Sequence, residues 1–307
     1  MLFLLSGFLL AYSLNGKSQS GDYTIAAFAS HKTRRIFREY IPALILIALL
    51  DALSIQLNEN AYSYYDAFSI QQFLGNAGML QGMAINRIIP NFECIPFGSG
   101  RPLWTLSLEY WSYFPLTWFY LIVKKQEPID LKRIILLSFF LWVPSEYILG
   151  GRGCGLGFVL GMGFLAYYIY DKIDSKITPA LFVLSIFIYI GYGAYYKDAY
   201  TIKSFIIMWF ILCLGLSALR EKPGVECTAK RNGLLSFLAK TTFMLYMLHY
   251  SIIDLIASAG IWQNTYFMFT AGIVLSVLIS IPMYIIFGEK RLPARLLTLL
   301  PSGRAAS

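Results

Sequence analysis

Charged side chains are scarce in this sequence. Its 307 residues include 25 Lys or Arg and 17 Asp or Glu, so 14% are charged, while 57% are hydrophobic and 17% aromatic. Soluble domains carry about 25% charged residues, so this composition and a mean hydropathy of +0.60 indicate a membrane protein. The composition excludes a disordered chain and a coiled coil, and no polar stretch is long enough for a separate soluble domain.

Histidine and cysteine are also rare, and neither shows the spacing of a zinc site. The chain has His31, His249, Cys94, Cys154, Cys213 and Cys227. We therefore expect no metal site and no secreted disulfide scaffold. The net charge of +8 does not indicate nucleic-acid binding, because the basic residues form short clusters between apolar runs and not one patch.

The sequence is rich in apolar runs of about the 20 residues that one bilayer crossing requires. Nine runs are found, at residues 1–14, 36–54, 104–123, 134–150, 154–171, 178–195, 202–219, 236–258 and 265–287. We predict an all-α fold, a polytopic transmembrane helix bundle of about nine spans forming a single domain over residues 1–307. The segment 61–85 is aromatic but contains Gln and Asn, so we expect an interfacial or re-entrant piece there.

Basic residues concentrate in alternate loops. If residue 1 faces outward, the stretches predicted to be cytoplasmic are 15–38, 124–133, 172–176, 220–240 and 288–307. They hold 20 of the 25 Lys and Arg residues, and the outer stretches hold 5. This asymmetry is typical of the positive-inside pattern. It predicts a cytoplasmic C-terminus and an outer loop at residues 55–103.

The first apolar run, MLFLLSGFLLAYSL, is short for a span and has no basic segment before it. A cleaved signal peptide is one alternative, because Ala11 and Ser13 resemble a small-residue cleavage site, although a positive n-region is absent. The more economical interpretation is that a preceding helix, which would place the N-terminus in the cytoplasm, is missing from this sequence.

Ionisable groups in apolar runs are costly, so each is a candidate for function. Arg35 and Arg38, in the segment SHKTRRIFREYIP (residues 30–42), stand three residues apart. Residues at i and i+3 share a helix face, so the two guanidinium groups could bind one polyanion such as a nucleotide phosphate. The alternative is a membrane anchor whose long side chains reach lipid phosphates.

Glu109, in GRPLWTLSLEYWSYFP (residues 100–115), is the second candidate. Thr105, Ser112 and Tyr113 fall at i−4, i+3 and i+4 from it, which makes a polar stripe on one helix face. Such a carboxylate could orient or deprotonate a hydroxyl, or it could hold an arginine. The alternative is a structural partner of Arg101 or of another basic group.

His249 is the third candidate, some 13 residues into a span. Thr242, Tyr246 and His249 recur at i, i+4 and i+7 on an otherwise apolar helix. The alternative is a buried histidine that only makes an interhelical hydrogen bond. Asp51 and Asp254 lie near span ends and are expected only to meet water. The glycines at 150, 151, 153, 155, 157, 161 and 163 are expected to allow close helix packing, since no GK[ST] follows them.

Together these pieces resemble the membrane acyltransferase 3 family of integral-membrane O-acyltransferases. FLLSGFLLAY (3–12) resembles the family's second-helix signature FxLSGFL, and Arg35 and Arg38 fall on its RxxR motif, with Pro42 following. LWTLSLEYWSYFPL (103–116), FLAKTTFMLYMLHYSI (237–252) and GEKRLPARL (288–296) resemble three further motifs, in order. Five motifs that occur in the family's order along nearly the whole chain make the resemblance to this family specific.

The resemblance implies transfer of an acyl group, usually acetyl from acetyl-CoA, to a hydroxyl of a cell-surface glycan or lipid-linked sugar in a bacterial inner (plasma) membrane. Arg35 and Arg38 would bind the acetyl-CoA, while Glu109 and His249 would be the catalytic residues that organise the site or the acceptor. The family normally has ten helices, and the first carries R-x10-H, whose histidine is regarded as the base. This pattern is absent here, so we expect the chain on its own to have little transferase activity.

Two alternatives remain at this point. A transporter or flippase would use the same intramembrane His, Glu and Arg as a substrate or proton pathway, but such proteins usually show an internal repeat and none is found. A catalytically inactive truncated family member is the other alternative.

Overall fold

The structure is a computed structural model, and it describes residues 1–17, 23–89, 92–125, 130–149, 155–173, 176–195, 201–218, 233–260 and 264–288. Every regular element in these ranges is helical, which confirms the all-α prediction for them. The α-helices are α1 (Leu2–Lys17), α2 (Ile25–Leu57), α3 (Ile70–Ala77), α4 (Leu103–Lys125), α5 (Leu131–Trp142), α6 (Ser145–Ile148), α7 (Leu156–Ile169), α8 (Thr178–Tyr195), α9 (Ile202–Ala218), α10 (Gly233–Ala259) and α11 (Thr265–Met283). A π-helical turn at Tyr284–Gly288 extends α11.

Four of the described helices are long and apolar enough to cross a bilayer. They are Ile25–Leu57, Thr178–Tyr195, Phe237–Ala259 and Thr265–Gly288. Because it has these four long apolar helices, the chain is an integral membrane protein. A helix lies at each of the nine predicted runs, but several are shorter or more polar than a full span, so the count of nine crossings stays a prediction.

The predicted run 134–150 is not one helix. The helix α5 has 12 residues and ends at Trp142, and the four-residue helix α6 follows it. Pro144 stands between them, and proline lacks a backbone N–H and disfavours helical geometry in the residue before it. At 1.5 Å per residue α5 is about 18 Å long, well short of the roughly 30 Å hydrocarbon core.

The segment 61–85 contains only the eight-residue helix α3 besides short 3₁₀ turns. Such a helix is too short to cross a bilayer, which agrees with the expectation that this segment is not a tenth span. Gln72, Asn76 and Gln81 of this segment are buried in a hydrogen-bonded network, whereas Ser63, Asp66 and Gln71 are exposed.

The network is centred on Asn76. Its Nδ2 donates to the carbonyl of Ile95 at 2.7 Å, and its Oδ1 accepts from Gln81 Nε2 at 2.5 Å and from the backbone N–H of Phe97 at 3.0 Å. The hydroxyl of Tyr40, on α2, donates to the backbone carbonyl of Asn76 at 2.9 Å. Because the buried amide groups of Gln72, Asn76 and Gln81 have partners, the segment can be polar in sequence and still contact α2 through Tyr40.

The chain forms two compact units. Unit 1 comprises residues 1–29, 82–93 and 105–228, and unit 2 comprises residues 30–81, 94–104 and 229–307. In unit 1, α1 packs against α7 and α8 against α9, while in unit 2 α10 packs against α11. The single domain over residues 1–307 stays a prediction.

Glycines bring α1 and α7 together backbone to backbone. A Cβ atom at Gly7 would lie 1.9 Å from the carbonyl oxygen of Leu160, and one at Gly163 would lie 1.9 Å from the carbonyl oxygen of Leu4. No side chain fits at either position, so the contact fixes the rotation of α1 about its axis. Close packing by the glycines of this region is thus confirmed at Gly163 and at Gly157, where a Cβ atom would lie 2.6 Å from Ile148. It is wrong at Gly161, where a Cβ atom would meet no neighbouring element within 4 Å among the described residues. The glycines at 150, 151 and 153 lie outside the described residues.

Candidate active site

Glu109 lies at the centre of a three-residue cluster in unit 1. The hydroxyl of Ser6 donates to Glu109 Oε1 at 2.6 Å. The hydroxyl of Tyr113 lies 3.3 Å from Oε2 and 3.2 Å from Ser6 Oγ, so its single proton is shared between two acceptors. Ser6 and Glu109 are half-buried and Tyr113 is buried. These residues are called the Glu109 cluster below.

Two rigid helices hold the Glu109 cluster. Glu109 and Tyr113 lie at i and i+4 on α4, so their side chains occupy the same face of that helix. Ser6 immediately precedes Gly7 on α1, whose contact with α7 fixes the rotation of the helix. Packed helices hold their side chains more rigidly than loops do, so the packing of the helices fixes the geometry of the Glu109 cluster.

The predicted polar stripe around Glu109 is found in part. Tyr113 contacts the carboxylate as its spacing suggests, whereas the buried hydroxyl of Ser112 has no hydrogen-bond partner among the described residues. Sequence reasoning missed Ser6, because spacing along α4 cannot identify a residue on α1. The signal that could have found it is the Ser-Gly pair within FLLSGFLLAY (3–12), the segment that resembles a family motif.

Arg35 and Arg38 lie on α2 in unit 2, and their environments differ. Arg38 Nη2 donates to the backbone carbonyl of Gly288 at 2.5 Å, at the end of the π-helical turn. Its Nε is buried and has no hydrogen-bond partner among the described residues, while Arg35 is exposed. Of the motif GEKRLPARL that follows, only Gly288 lies within the described residues.

His249 lies half-buried on α10 in unit 2. Its Nδ1 is 2.9 Å from the carbonyl oxygen of Tyr246 and 3.2 Å from that of Leu245. A carbonyl only accepts hydrogen bonds, so Nδ1 carries a proton, and in the neutral imidazole the lone pair is then on Nε2. The tautomer thereby leaves Nε2 as a hydrogen-bond acceptor or base.

Asp51 does not meet water as expected, because its side chain is buried, with 1% exposed. Its carboxylate accepts from the backbone N–H of Ser99 at 2.9 Å and from the Ser99 hydroxyl at 2.5 Å. Ser99 Oγ also lies 2.6 Å from Ser251 Oγ on α10. Sequence reasoning placed the span end at residue 54, whereas α2 continues to Leu57 and the loop before α4 folds over Asp51.

Tyr62 lies close to Asp51. Burial raises the pKa of the Tyr62 phenol, and the negative charge of Asp51 raises it further.

Asp254 is likewise not merely solvated. It forms an ion pair with Arg101 at 3.0 Å, so the arginine considered as a partner of Glu109 has this carboxylate partner in unit 2. The guanidinium carbon of Arg101 lies 4.5 Å from the ring centre of Tyr250 and 5.2 Å from that of Tyr64. Cation–π contacts of this length add to the ion pair and tie the loop before α4 to α10.

The chain belongs to the acyltransferase 3 family, whose model, an acyltransferase domain, matches residues 1–285. The resemblance seen in the motifs is therefore confirmed. No curated protein and no solved structure matches the chain. Membership of the family makes the protein an O-acyltransferase that uses an acyl donor, and it favours the enzyme over the transporter or flippase considered from the sequence.

Proposed function

We propose that the protein transfers an acetyl group from acetyl-CoA to a hydroxyl of a cell-surface glycan or lipid-linked sugar. The proposal places it in a bacterial inner membrane, with the donor reaching it from the cytoplasmic side and the C-terminus on that side. The observation that carries it is the Glu109 cluster, where a carboxylate on the motif-bearing helix α4 is held by two hydroxyl groups.

Acyl transfer to a hydroxyl requires a base that takes the hydroxyl proton as oxygen attacks the thioester carbonyl. Glu109 is a suitable group, because Ser6 Oγ already lies 2.6 Å from Oε1, within the reach needed for proton transfer. Hydrogen bonds from Ser6 and Tyr113 hold the carboxylate in one orientation, so little reorganisation is needed when it acts.

In this proposal His249 organises the acceptor. With Nδ1 bonded to carbonyl oxygens of its own helix, Nε2 can accept a hydrogen bond from a sugar hydroxyl. The hydrogen bonds of Nδ1 fix the orientation of the ring, and a ring of fixed orientation aligns that hydroxyl.

Arg35 and Arg38 bind the phosphates of the donor in this proposal. Arg38 uses one N–H on Gly288 and keeps its buried Nε unpaired among the described residues, while Arg35 is exposed to an incoming ligand. The guanidinium fork matches phosphate oxygens geometrically, and a buried unpaired donor gains most from meeting an anion.

The transfer reaction is tested with radiolabelled acetyl-CoA. Membranes containing the chain as written, or a form extended by any in-frame upstream codons, are assayed for label in the glycan and lipid-linked sugar fractions. Glu109→Gln should lower transfer by about 10²- to 10⁴-fold, the usual contribution of a general base. Glu59→Gln, at an exposed carboxylate, is the matched control. Transfer that survives Glu109→Gln at the wild-type rate would remove Glu109 from the mechanism.

Donor binding is tested separately with purified protein. Arg35→Ala should weaken acetyl-CoA binding about ten- to a hundredfold, because a charge-assisted hydrogen bond contributes about 1.5 to 3 kcal/mol. Arg38→Ala should have an effect at least as large. Arg34→Ala is the control, since Arg34 is an exposed neighbour on the same helix and lies outside the RxxR pair. If Arg35→Ala and Arg38→Ala bound donor as tightly as Arg34→Ala, the pair would be an interfacial anchor.

A further inference from the structure

Ser6 makes a different hydrogen bond from eight other hydroxyl groups on the described helices. In apolar helices Ser and Thr usually donate to a carbonyl three or four residues earlier on the same helix, which satisfies the hydroxyl locally. The residues that do so here are Ser54, Ser185, Thr241, Thr242, Ser258, Thr270, Ser276 and Ser280. Ser6 instead donates to a carboxylate on another helix, at 2.6 Å.

The Glu109 cluster has the arrangement that activates a nucleophile. A serine acts as a nucleophile when a base lies within about 2.6–3.2 Å of its oxygen and a third group orients that base. Ser6 Oγ is the hydroxyl, Glu109 the base and Tyr113 the third group, since its hydroxyl reaches both Oε2 and Ser6 Oγ.

We propose that Ser6 is a catalytic nucleophile that accepts the acyl group from the thioester donor, so that the reaction passes through an acyl-serine enzyme. The proposal rests on the function proposed above and adds a covalent step to it. The Ser-Gly pair of the motif draws attention to Ser6, and the contact with Glu109 is what assigns it a chemical role.

In the first half-reaction Ser6 Oγ attacks the thioester carbonyl carbon while Glu109 takes the hydroxyl proton. The C–S bond breaks, and the leaving thiolate takes that proton from Glu109, which gives free CoA thiol and an ester on Ser6. In the second half-reaction the acceptor hydroxyl gives its proton to Glu109 and its oxygen attacks the ester carbonyl. Ser6 Oγ leaves and takes the proton back, so the enzyme is regenerated.

The position of Ser6 suits this role. It is half-buried and therefore not sealed from a ligand, whereas Tyr113 has only 5% of its surface exposed. The contact of Gly7 with the backbone of α7 prevents α1 from rotating Ser6 away from Glu109. A fixed distance of 2.6 Å keeps the proton transfer ready before the donor arrives.

The test follows label on the protein itself, so it does not require the acceptor to be known. The purified chain is incubated with acetyl-CoA labelled in the acetyl group and no acceptor, then denatured and analysed by peptide mass spectrometry. Wild type should carry acetyl on Ser6, with up to one group per chain. Ser6→Ala should lose it, and Tyr113→Phe should form it roughly three- to tenfold more slowly, the effect of one lost hydrogen bond.

Two further variants separate catalysis from folding. Ser6→Cys keeps a nucleophile of similar size, and its label should become a thioester that neutral hydroxylamine removes, whereas the serine ester resists that treatment. Ser185→Ala, which removes a hydroxyl bonded to its own helix in the same unit, should label Ser6 like wild type. If Ser6 had only a structural role, the label would not be attached to residue 6. The Ser6→Cys variant would then not change the sensitivity of the label to hydroxylamine.

The outcomes distinguish this proposal from the one on which it rests. Acetyl transfer to the sugar fraction by a chain that binds donor but never carries acetyl on Ser6 would overturn the acyl-serine step and leave the proposed function standing. Label that persists in Ser6→Ala would also overturn it. If neither the chain as written nor the form extended by in-frame upstream codons bound acetyl-CoA or became labelled, both proposals would be overturned.

Discussion

At the scale of single residues, burial sets the chemistry of Cys94. Its side chain is buried, with 1% exposed, in the loop that also carries Ser99, and its sulfur lies 3.8 Å from Asn76 Nδ2. Burial raises the pKa of the Cys94 thiol from 9.0 to about 12, because the thiolate would lose its hydration. The folded chain therefore favours the neutral thiol, and this contribution to stability is lost as pH rises from about 9 towards 12.

We expect Cys94 to react with maleimide slowly in the folded protein. In a variant whose other cysteines are alanine, the thiolate fraction at pH 8 should be about a thousandfold smaller in the folded than in the unfolded chain, and reactivity follows the thiolate. Labelling rates are compared in mild detergent and after denaturation. A cysteine placed at exposed Ser63 in the cysteine-free chain should label rapidly in both states. Equal native and denatured rates for Cys94 would show that the loop does not cover it.

Residue types inside apolar runs singled out the candidate residues, whose roles stay predictions, but the partners of these residues were not predictable from the sequence. The i, i+4 spacing correctly joined Tyr113 to Glu109, since both lie on one helix. Ser6 and Ser99 are partners of carboxylates from other elements, and such contacts depend on packing that no local pattern encodes. Asp51 was misjudged for the same reason, because a carboxylate near a span end is solvated unless a distant loop folds over it.

At the scale of helices, the contact between α1 and α7 makes a sharp prediction. Gly7→Ala should destabilise the protein by about 1 to 3 kcal/mol, because the added methyl group would overlap the carbonyl oxygen of Leu160. For a chain of this size that corresponds to roughly 2–4 °C in Tm for each kcal/mol, measured by thermal unfolding in detergent. Because α1 carries Ser6, the same variant should also lower labelling of Ser6.

Glycines with open space beside them provide the control for this prediction. A Cβ atom added at Gly16 on α1 or at Gly161 on α7 would meet no neighbouring element within 4 Å among the described residues, so alanine fits at both. Alanine favours a helix by up to about 1 kcal/mol over glycine, so Gly161→Ala should leave Tm unchanged or raise it. If Gly7→Ala and Gly161→Ala behaved alike, α1 and α7 would not be in backbone contact.

Apolar runs predicted where helices form, because a long apolar run must satisfy its backbone hydrogen bonds internally. They did not predict where helices stop. The helix α5 ends at Trp142 because of Pro144 although the residues around it are apolar, and α2 begins at Ile25, well before its apolar run starts at residue 36. Backbone chemistry and tertiary packing decide these ends, and hydropathy does not report either.

At the scale of the whole molecule, the distribution of basic residues predicts the orientation in the membrane. Lys and Arg are retained on the cytoplasmic side during insertion, and 20 of the 25 fall in the stretches assigned to that side. The Arg35 and Arg38 pair would then meet acetyl-CoA, which is made in the cytoplasm, while the loop 55–103 would lie outside. A measurement of the orientation in the membrane therefore tests whether Arg35 and Arg38 can bind the acyl donor, and it needs no activity assay.

We expect a cysteine at position 63 to be labelled from outside the cell. Cys94 itself is unsuitable for this measurement because it is buried, so Ser63→Cys and Lys172→Cys, both at exposed positions, are made separately in a cysteine-free chain. A membrane-impermeant maleimide should label Ser63→Cys in intact cells, because residue 63 lies in the predicted outer loop. Lys172→Cys should be labelled only after the membrane is opened, because residue 172 begins a predicted cytoplasmic stretch. The reverse pattern would invert the topology and place Arg35 and Arg38 on the side that has no acetyl-CoA, which would remove them as donor-binding residues.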